Sequence, residues 1–266
     1  KPVDFIGDYN SILKDLKHSD IVFNALHGTI GEDGTIQSWL DENNIYYTGS
    51  GSSSSRLCMN KNESKKIVRK FNYLTPDWCT LDNSDKKISN EIVQSIDFPC
   101  IVKPNSQGST FGLSIANDNT ELQSAIKIAS EYDYFTLIEE YIAGREITVG
   151  ILGDKALPIV EIFPKHQLYD YECKYNQGMS QYSCPADITP SKERQIKKES
   201  ENIFKILGCR GYGRLDFLLD KNGRHFFLEI NTLPGMTSTS LLPIAAEKSG
   251  KSFSQLVDII IGLSIQ

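Results

Sequence analysis

Asp216, Glu229 and Asn231 offer only oxygen donors, and the chain around them is patterned to bring all three onto one surface. They fall within Arg210 to Pro243, where two runs rich in Phe, Leu and Ile flank Asn222-Gly223. That dipeptide favours a type I′ turn and a two-residue hairpin loop. With Lys221 paired to Arg224, counting back puts Asp216 opposite Glu229 and Arg214 opposite Asn231, all on a shared face. Facing carboxylates repel unless a cation stands between them. Oxygen-only donors suit Mg²⁺, which shares its remaining positions with phosphate oxygens, better than Zn²⁺. An ordinary surface hairpin with a solvated acidic face has the same spacing. Directly after Asn231 the chain reads TLPGMTSTSL. Gly235 in that turn permits close backbone approach, and its hydroxyls can hold a carboxylate.

A second stretch points to phosphate. Cys100 to Pro104 reads as a strand carrying a single lysine, Lys103, and it runs into Asn105-Ser106-Gln107-Gly108-Ser109-Thr110-Phe111-Gly112. Glycines flanked by hydroxyls let backbone N–H groups turn toward phosphate oxygens, and the nearby lysine adds a point charge. The loop lacks the G-x-x-x-x-G-K-S/T order of a P-loop, and no G-x-G-x-x-G opens a helix after a strand. Taken alone, such a loop is weak evidence, since most are only turns.

Positioning these groups needs a sizeable α/β scaffold, and 266 residues provide for two or three subdomains. A net charge of −6 without a basic run argues against nucleic acid or an anionic membrane as partner. The six cysteines show no C-x-x-C pair, so neither zinc nor a redox dithiol is signalled, and they read as reduced thiols. No apolar run reaches the roughly 18 residues of a membrane span, and no signal peptide is apparent, so a cytoplasmic protein is expected.

In chain order, Asp8 to Leu16 has helical apolar spacing, and Asp20 to Leu26 (DIVFNAL) reads as a buried parallel strand emptying into His27-Gly28. Functional residues of open α/β sheets gather at such strand ends, although His27 alone has no specific spacing and also fits a satisfied histidine. A glycine loop and helix follow, then a short returning strand at Tyr46 to Ser50. The run Gly49 to Ser55 either caps a helix or marks a crossover. Lys61 to Phe71 is a basic helix whose charges read as a mainly solvated face. Further helices are expected at Ile92 to Ile96, Glu121 to Ser130, Ser191 to Leu207, Leu241 to Lys248 and Phe253 to Leu263. Phe135 to Ile142 is a strand followed by a turn at Gly144-Arg145-Glu146, and Ile147 to Leu152 and Leu157 to Ile162 form a hairpin. Tyr169 to Pro185 is a long aromatic loop of the kind that serves as a lid. Tyr175 within it also fits a packed aromatic.

The segments HGTIGEDGTIQ, KPNSQGSTFG, KYNQGMSQYSCPA, GRLDFLLD and EINTLPGMTSTSL, in that order, resemble the D-alanine–D-alanine ligases, which are ATP-grasp enzymes. The resemblance covers nearly the whole chain. It implies an α/β fold with an N-terminal doubly wound remnant (1–56), a central ATP-grasp lobe (57–146) and a C-terminal lobe (147–266), the two lobes closing on ATP. It implies ATP-dependent joining of two D-alanines through an acyl phosphate for peptidoglycan precursors, with ATP and a pair of Mg²⁺ ions, or Mn²⁺, as cofactors. A homodimer is compatible with it. Lys61, Lys103, Lys174, Gly108 and Ser109 would face the phosphates. Glu139, Glu140 and Ile142 would hold the adenine edge and Glu146 the ribose. Family members often carry Lys where Glu140 stands, so only its backbone contacts carry over. His27 would meet the first substrate's carboxylate, with Glu32 supporting the loop, and Tyr175 would join Ser109 around that amino acid. Arg214 and the Gly235 N–H would stabilise the oxyanion, while Ser240, the Leu241 N–H and Arg214 would meet the second carboxylate. Lys174-Tyr175 favours an amine nucleophile. A related ligase for D-serine or another acceptor, or a silent ATP-binding homologue, stays open. The family's N-terminal strand, glycine loop and helix, which carry a catalytic Glu, have no counterpart here, so roughly 50 to 70 further residues are expected upstream.

Overall fold

The computed structural model describes residues 1–84, 96–108, 110–165 and 178–265. Ser109, Lys174, Tyr175 and most of the helix expected at Ile92 to Ile96 lie outside these residues. Among the described residues, five of the eight helices begin at a residue whose side chain caps them. Asp8 caps α1 (Tyr9–Lys17), Asn60 caps α4 (Lys61–Lys70) and Asp118 caps α5 (Asn119–Ser130). Thr189 caps α6 (Pro190–Ile206), with Pro190 in its first turn. Ser252 and Gln255 form a reciprocal capping box at α8 (Phe253–Ser264). The remaining helices are α2 (Thr35–Glu42), α3 (Ser52–Met59) and α7 (Leu241–Lys248).

Two antiparallel sheets form the frame. The first has the order β1 (Trp78–Asp82), β4 (Phe135–Glu140), β2 (Cys100–Pro104), β3 (Ser114–Ala116). One of its faces, through Cys100, Val102 and Ile138, packs on Leu122, Ala125, Ile126 and Ala129 of α5. The pleat therefore turns Ile101, Lys103 and Glu139 the other way. The second sheet runs β10 (His225–Asn231), β9 (Tyr212–Asp220), β5 (Gly144–Leu152), β7 (Val160–Pro164), β8 (Ser180–Ser183), with β6 (Lys155–Ala156) hairpinned onto β5. Its Ile147, Val149, Phe217 and Phe227 face pack against α6 through Ile196, Ile203 and Phe204. On the opposite face, Leu152 and Tyr212 are covered by α7 and α8. Around Asp216 and Leu218 that face stays open and becomes the floor of a cleft.

Several expectations are corrected. Asp20 to Leu26 is no strand: it makes one parallel bridge, Val22 to Tyr47, and most of its side chains are only half-buried or exposed. The ladder is limited to Val22 N–H on Tyr46 O at 2.8 Å and Thr48 N–H on Val22 O at 3.0 Å, after which the Thr48 hydroxyl takes the Asn24 N–H. The returning strand at Tyr46 to Ser50 shrinks with it. The serine run caps a helix as expected, with Gly51 as the N-cap of α3, and extends into it, since Ser52 to Ser55 form its first turn. Gly144 to Glu146 is the start of β5, where pairing with β9 extends the backbone, and not a turn. The described cysteines are free thiols as expected, and among them Cys58 and Cys209 lie with their sulfurs 3.4 Å apart.

Candidate active site

The β9–β10 hairpin reaches the expected pairing by a different route. Its loop is Lys221-Asn222-Gly223, closed by Asp220 N–H on Arg224 O at 2.9 Å, with Gly223 in the left-handed region at φ +76°. A type I′ turn would need positive φ at Asn222 as well, which is absent. The Asp220 carboxylate holds the loop, accepting from the Asn222 and Arg224 N–H groups and from Arg224 Nε at 2.7 Å. From this loop the register runs His225 to Leu219 and Phe227 to Phe217, one residue away from the expected one. A bulge between Phe227 and Glu229 then restores it, pairing Glu229 with Asp216 and Asn231 with Arg214. Without the extra residue Glu229 would follow Phe227 into the core. With it, Leu228 and Glu229 both line the cleft.

The cations demanded by the facing carboxylates are present as side chains. Arg214 clamps Asp216 with Nε to Oδ1 at 2.9 Å and a terminal nitrogen to Oδ2 at 2.8 Å, and Thr148 Oγ1 donates to Oδ1 at 2.6 Å. Lys61 Nζ lies 3.2 Å from Glu229 Oε2 and donates to Gln107 O at 2.6 Å. Asn231 Oδ1 accepts from the Leu233 N–H at 2.8 Å. Carboxylate repulsion alone therefore does not require a metal here. The donor chemistry nevertheless fits a hard divalent cation: two carboxylates and an amide oxygen on one face, with no sulfur or imidazole among them.

Two cavities open on this face. The first, about 390 Å³, lies between the sheets and is lined by Lys103, Glu139, Glu140, Ile142, Glu146, Asp216 and Glu229. The second, about 370 Å³, is lined by His27, Gly108, Arg214, Asn231, Gly235, Ser240 and Leu241. Lys61, Gln107 and Glu229 line both. The cavities thus meet at the Lys61–Glu229 pair, beside the glycine-rich loop that Lys61 and Asn105 tie to the start of α4.

His27 stands half-exposed with Nδ1 3.7 Å from Glu32 Oε1. Its pKa is raised by the Glu32 carboxylate against the opposing effect of burial. Glu32 also accepts the Gly28 N–H at 2.9 Å, which fixes the loop as expected. Ser240 is less free than expected. Its Oγ accepts the Thr237 N–H at 3.1 Å and lies 2.8 Å from the Thr237 hydroxyl. Gly235 is small for this reason, because an added Cβ would stand 2.8 Å from Ser240 Oγ. Leu241 opens α7, so its N–H belongs to the unpaired first turn of a helix facing the cavity. The Glu140 N–H is taken by Asp77 O at 2.8 Å, which removes one of the backbone contacts carried over for it.

One residue of the cleft was missed. Lys65, expected on a solvated face of α4, is completely buried against Glu139. The spacing Lys61, Ser64, Lys65, Val68 is an i, i+3, i+4, i+7 stripe, and those are the buried residues of α4. Reading charge before period concealed it.

Family models for the D-ala D-ala ligase C-terminus and N-terminus match residues 67–262 and 7–50. The chain belongs to the D-alanine–D-alanine ligase family. The D-alanine–D-alanine ligase of Methylacidiphilum infernorum is 44% identical over 93% of this chain and 80% of its own length. The ligase of Bacillus anthracis in complex with ATP superposes with a TM-score of 0.86 at 35% identity, over 98% of this chain and 84% of that one. The D-Ala:D-Ser ligase VanG of Enterococcus faecalis gives a TM-score of 0.83 at 33% identity, over 92% and 73%. The ligase family accordingly shares this ATP-grasp arrangement of two sheets around a cleft. No helix among the described residues is long and apolar enough to cross a membrane.

Proposed function

We propose that the protein joins two D-alanines into D-alanyl-D-alanine at the expense of ATP, releasing ADP and phosphate, as a step toward peptidoglycan precursors. The first D-alanine carboxylate takes the γ-phosphoryl group of ATP and becomes an acyl phosphate. The amine of the second attacks the acyl carbon, and phosphate leaves. The observation that carries this reading is the meeting of the two cavities at Lys61, Gln107 and Glu229. A nucleotide lying in one cavity would end where an amino acid carboxylate in the other begins, and such approximation is a large part of bimolecular catalysis.

In this reading Lys61, Lys103 and Lys174 would contact the phosphates, as would Gly108 and Ser109 of the glycine-rich loop. Glu139, Glu140 and Ile142 bound the adenine end and Glu146 the ribose. Asp216, Glu229 and Asn231 would hold Mg²⁺, or Mn²⁺, which when bound offsets phosphate charge. His27 receives the first carboxylate, with Tyr175 and Ser109 nearby. Arg214 and the Gly235 N–H face the developing oxyanion, where loss of one donor typically costs about 10²- to 10³-fold in turnover. Arg214, Ser240 and the Leu241 N–H receive the second carboxylate. The division at 1–56, 57–146 and 147–266, a cytoplasmic location and a homodimer belong to the same reading and rest on family membership.

The D-serine ligase among the structural relatives keeps a second acceptor in play. ADP release measured with D-alanine alone, and with D-alanine plus D-serine or D-lactate, separates the readings. D-alanine-dependent release yielding the dipeptide supports the first, mixed product with D-serine the second, and ATP binding without turnover contradicts both.

A further inference from the structure

Lys65 has no side-chain exposure, and the proposed reaction does not use it. Its Nζ donates to Thr75 Oγ1 at 2.8 Å, lies 5.3 Å from the centre of the Trp78 ring and contacts Glu139 Oε1. The other oxygen of the same carboxylate, Oε2, takes Lys103 Nζ at 2.6 Å. Lys103 and Glu139 line the nucleotide cleft, whereas Lys65 approaches from behind them. One buried carboxylate is therefore shared by two cations.

The charge count decides what this does. A lysine paired one to one with a buried glutamate presents no net charge to an arriving phosphate. With a second lysine on the same carboxylate the trio is net positive by one, and the surplus lies at Lys103, the member that faces the cleft. Burial favours the neutral amine of Lys65, and Glu139 opposes that by favouring the ammonium. We propose that Lys65 is a positioning residue of the nucleotide cleft: it fixes and neutralises Glu139 from behind, leaving the charge of Lys103 to the phosphate chain. The inference rests on the reading of this cleft as the ATP site.

The test is equilibrium binding of ATP and of adenosine, without D-alanine, to the intact protein and to three variants, read as the ratio of the two affinities. Adenosine lacks the phosphates, so damage to the fold weakens both ligands and leaves the ratio unchanged. Lys65→Met is expected to lower the ATP-to-adenosine ratio about tenfold, the order expected for one unit charge acting over several ångströms at a protein surface. Lys65→Met combined with Glu139→Gln leaves Lys103 as the sole charge and should return the ratio to within about threefold of the parent. Glu139→Gln alone removes the anion held against Lys103, so even with Lys65 neutral the ratio should not fall below that of the parent, and a fall there overturns the inference if Lys65→Met does not fold. A ratio that stays constant across the variants, or a double variant no better than Lys65→Met, overturns the proposal. A parent protein that binds no ATP would instead contradict the reading of the cleft.

Discussion

Glu229 stands opposite Asp216 because Leu228 is an extra residue in β10, and not because of the turn that joins the two strands. The three-residue loop sets a register that would send Glu229 into the core beside Phe227, and the bulge turns it back toward the cleft. The pairing on which the oxygen-donor site depends is thus made locally, at the site itself. A bulge beside a functional residue re-aims that residue at the cost of one ladder bond.

Changing these two carboxylates should have unequal effects on the fold. Asp216 is buried and clamped by Arg214 and Thr148, so Asp216→Ala removes the carboxylate that both of them bond. A loss of about 3 kcal/mol of stability is expected, in the range for breaking one side of a buried pair. Glu229→Gln keeps shape and stability, since Glu229 is more exposed and Lys61 retains Gln107 O. Both variants should lose at least about 10²-fold in Mg²⁺-dependent ADP release. Thermal melts and a coupled ADP assay measure the two effects separately, and full activity in either variant refutes the donor assignment.

Handling of the first D-alanine should depend on pH through His27. Glu32 raises the His27 pKa above 6.5, so the ring keeps its charge to higher pH than a free imidazole. Affinity for the carboxylate should be steady below that raised value and decline as pH rises through it. Stability from the His27–Glu32 pair follows the same sign, being present below 6.5 and lost above the folded value. In His27→Gln the D-alanine KM should be higher and flat across this range. A wild-type KM with no break there removes His27 from the site.

The family, the fold class and most helices were legible in the sequence, whereas the local geometry of the site was not. The helices were legible because apolar stripes are local: Ile12 and Leu16 of α1, and Leu122, Ala125, Ile126 and Ala129 of α5, recur at helical spacing. The Asp216–Glu229 pairing was legible for a partly mistaken reason, since a wrong loop length and an unseen bulge cancel. Bulges have no reliable local signature, and Leu228 looks like any strand residue. DIVFNAL is not a strand because apolar residues state a preference for burial, whereas a strand needs partners along its backbone, and among the described residues only Tyr46 to Thr48 supply them. Lys65 was misread because its partner Glu139 is far along the chain, and burial of a lysine depends on that partner.

Lys65 also predicts how stability depends on pH. Burial lowers its pKa to about 8 in the folded protein, from an ordinary value of 10.5. Between those values the unfolded chain binds more protons, so stability should rise with pH across that interval. Relative to Lys65→Met, the parent should gain in Tm from about pH 8 to about pH 10. A constant difference would show that Lys65 keeps an ordinary pKa in the fold, and a falling one that its pKa is raised; either contradicts the prediction.

Lys61 joins the two cavities, touching Glu229 and the Gln107 carbonyl of the glycine-rich loop. Lys61→Met should therefore raise the KM for ATP and lower kcat together, by about tenfold or more in kcat/KM. If only the D-alanine KM changed, Lys61 would belong to the amino acid cavity alone.

The most direct test of the account follows the oxygen atoms. D-alanine labelled with ¹⁸O in its carboxylate is incubated with ATP, Mg²⁺ and the protein, and the inorganic phosphate released is weighed by mass spectrometry. If the γ-phosphoryl group passes across the Lys61–Glu229 junction to the carboxylate, each turnover moves one ¹⁸O from the first D-alanine into phosphate and leaves three in the dipeptide, one at the peptide carbonyl and two in the carboxylate of the second residue. Phosphate released without label, or no phosphate release dependent on D-alanine, would contradict it.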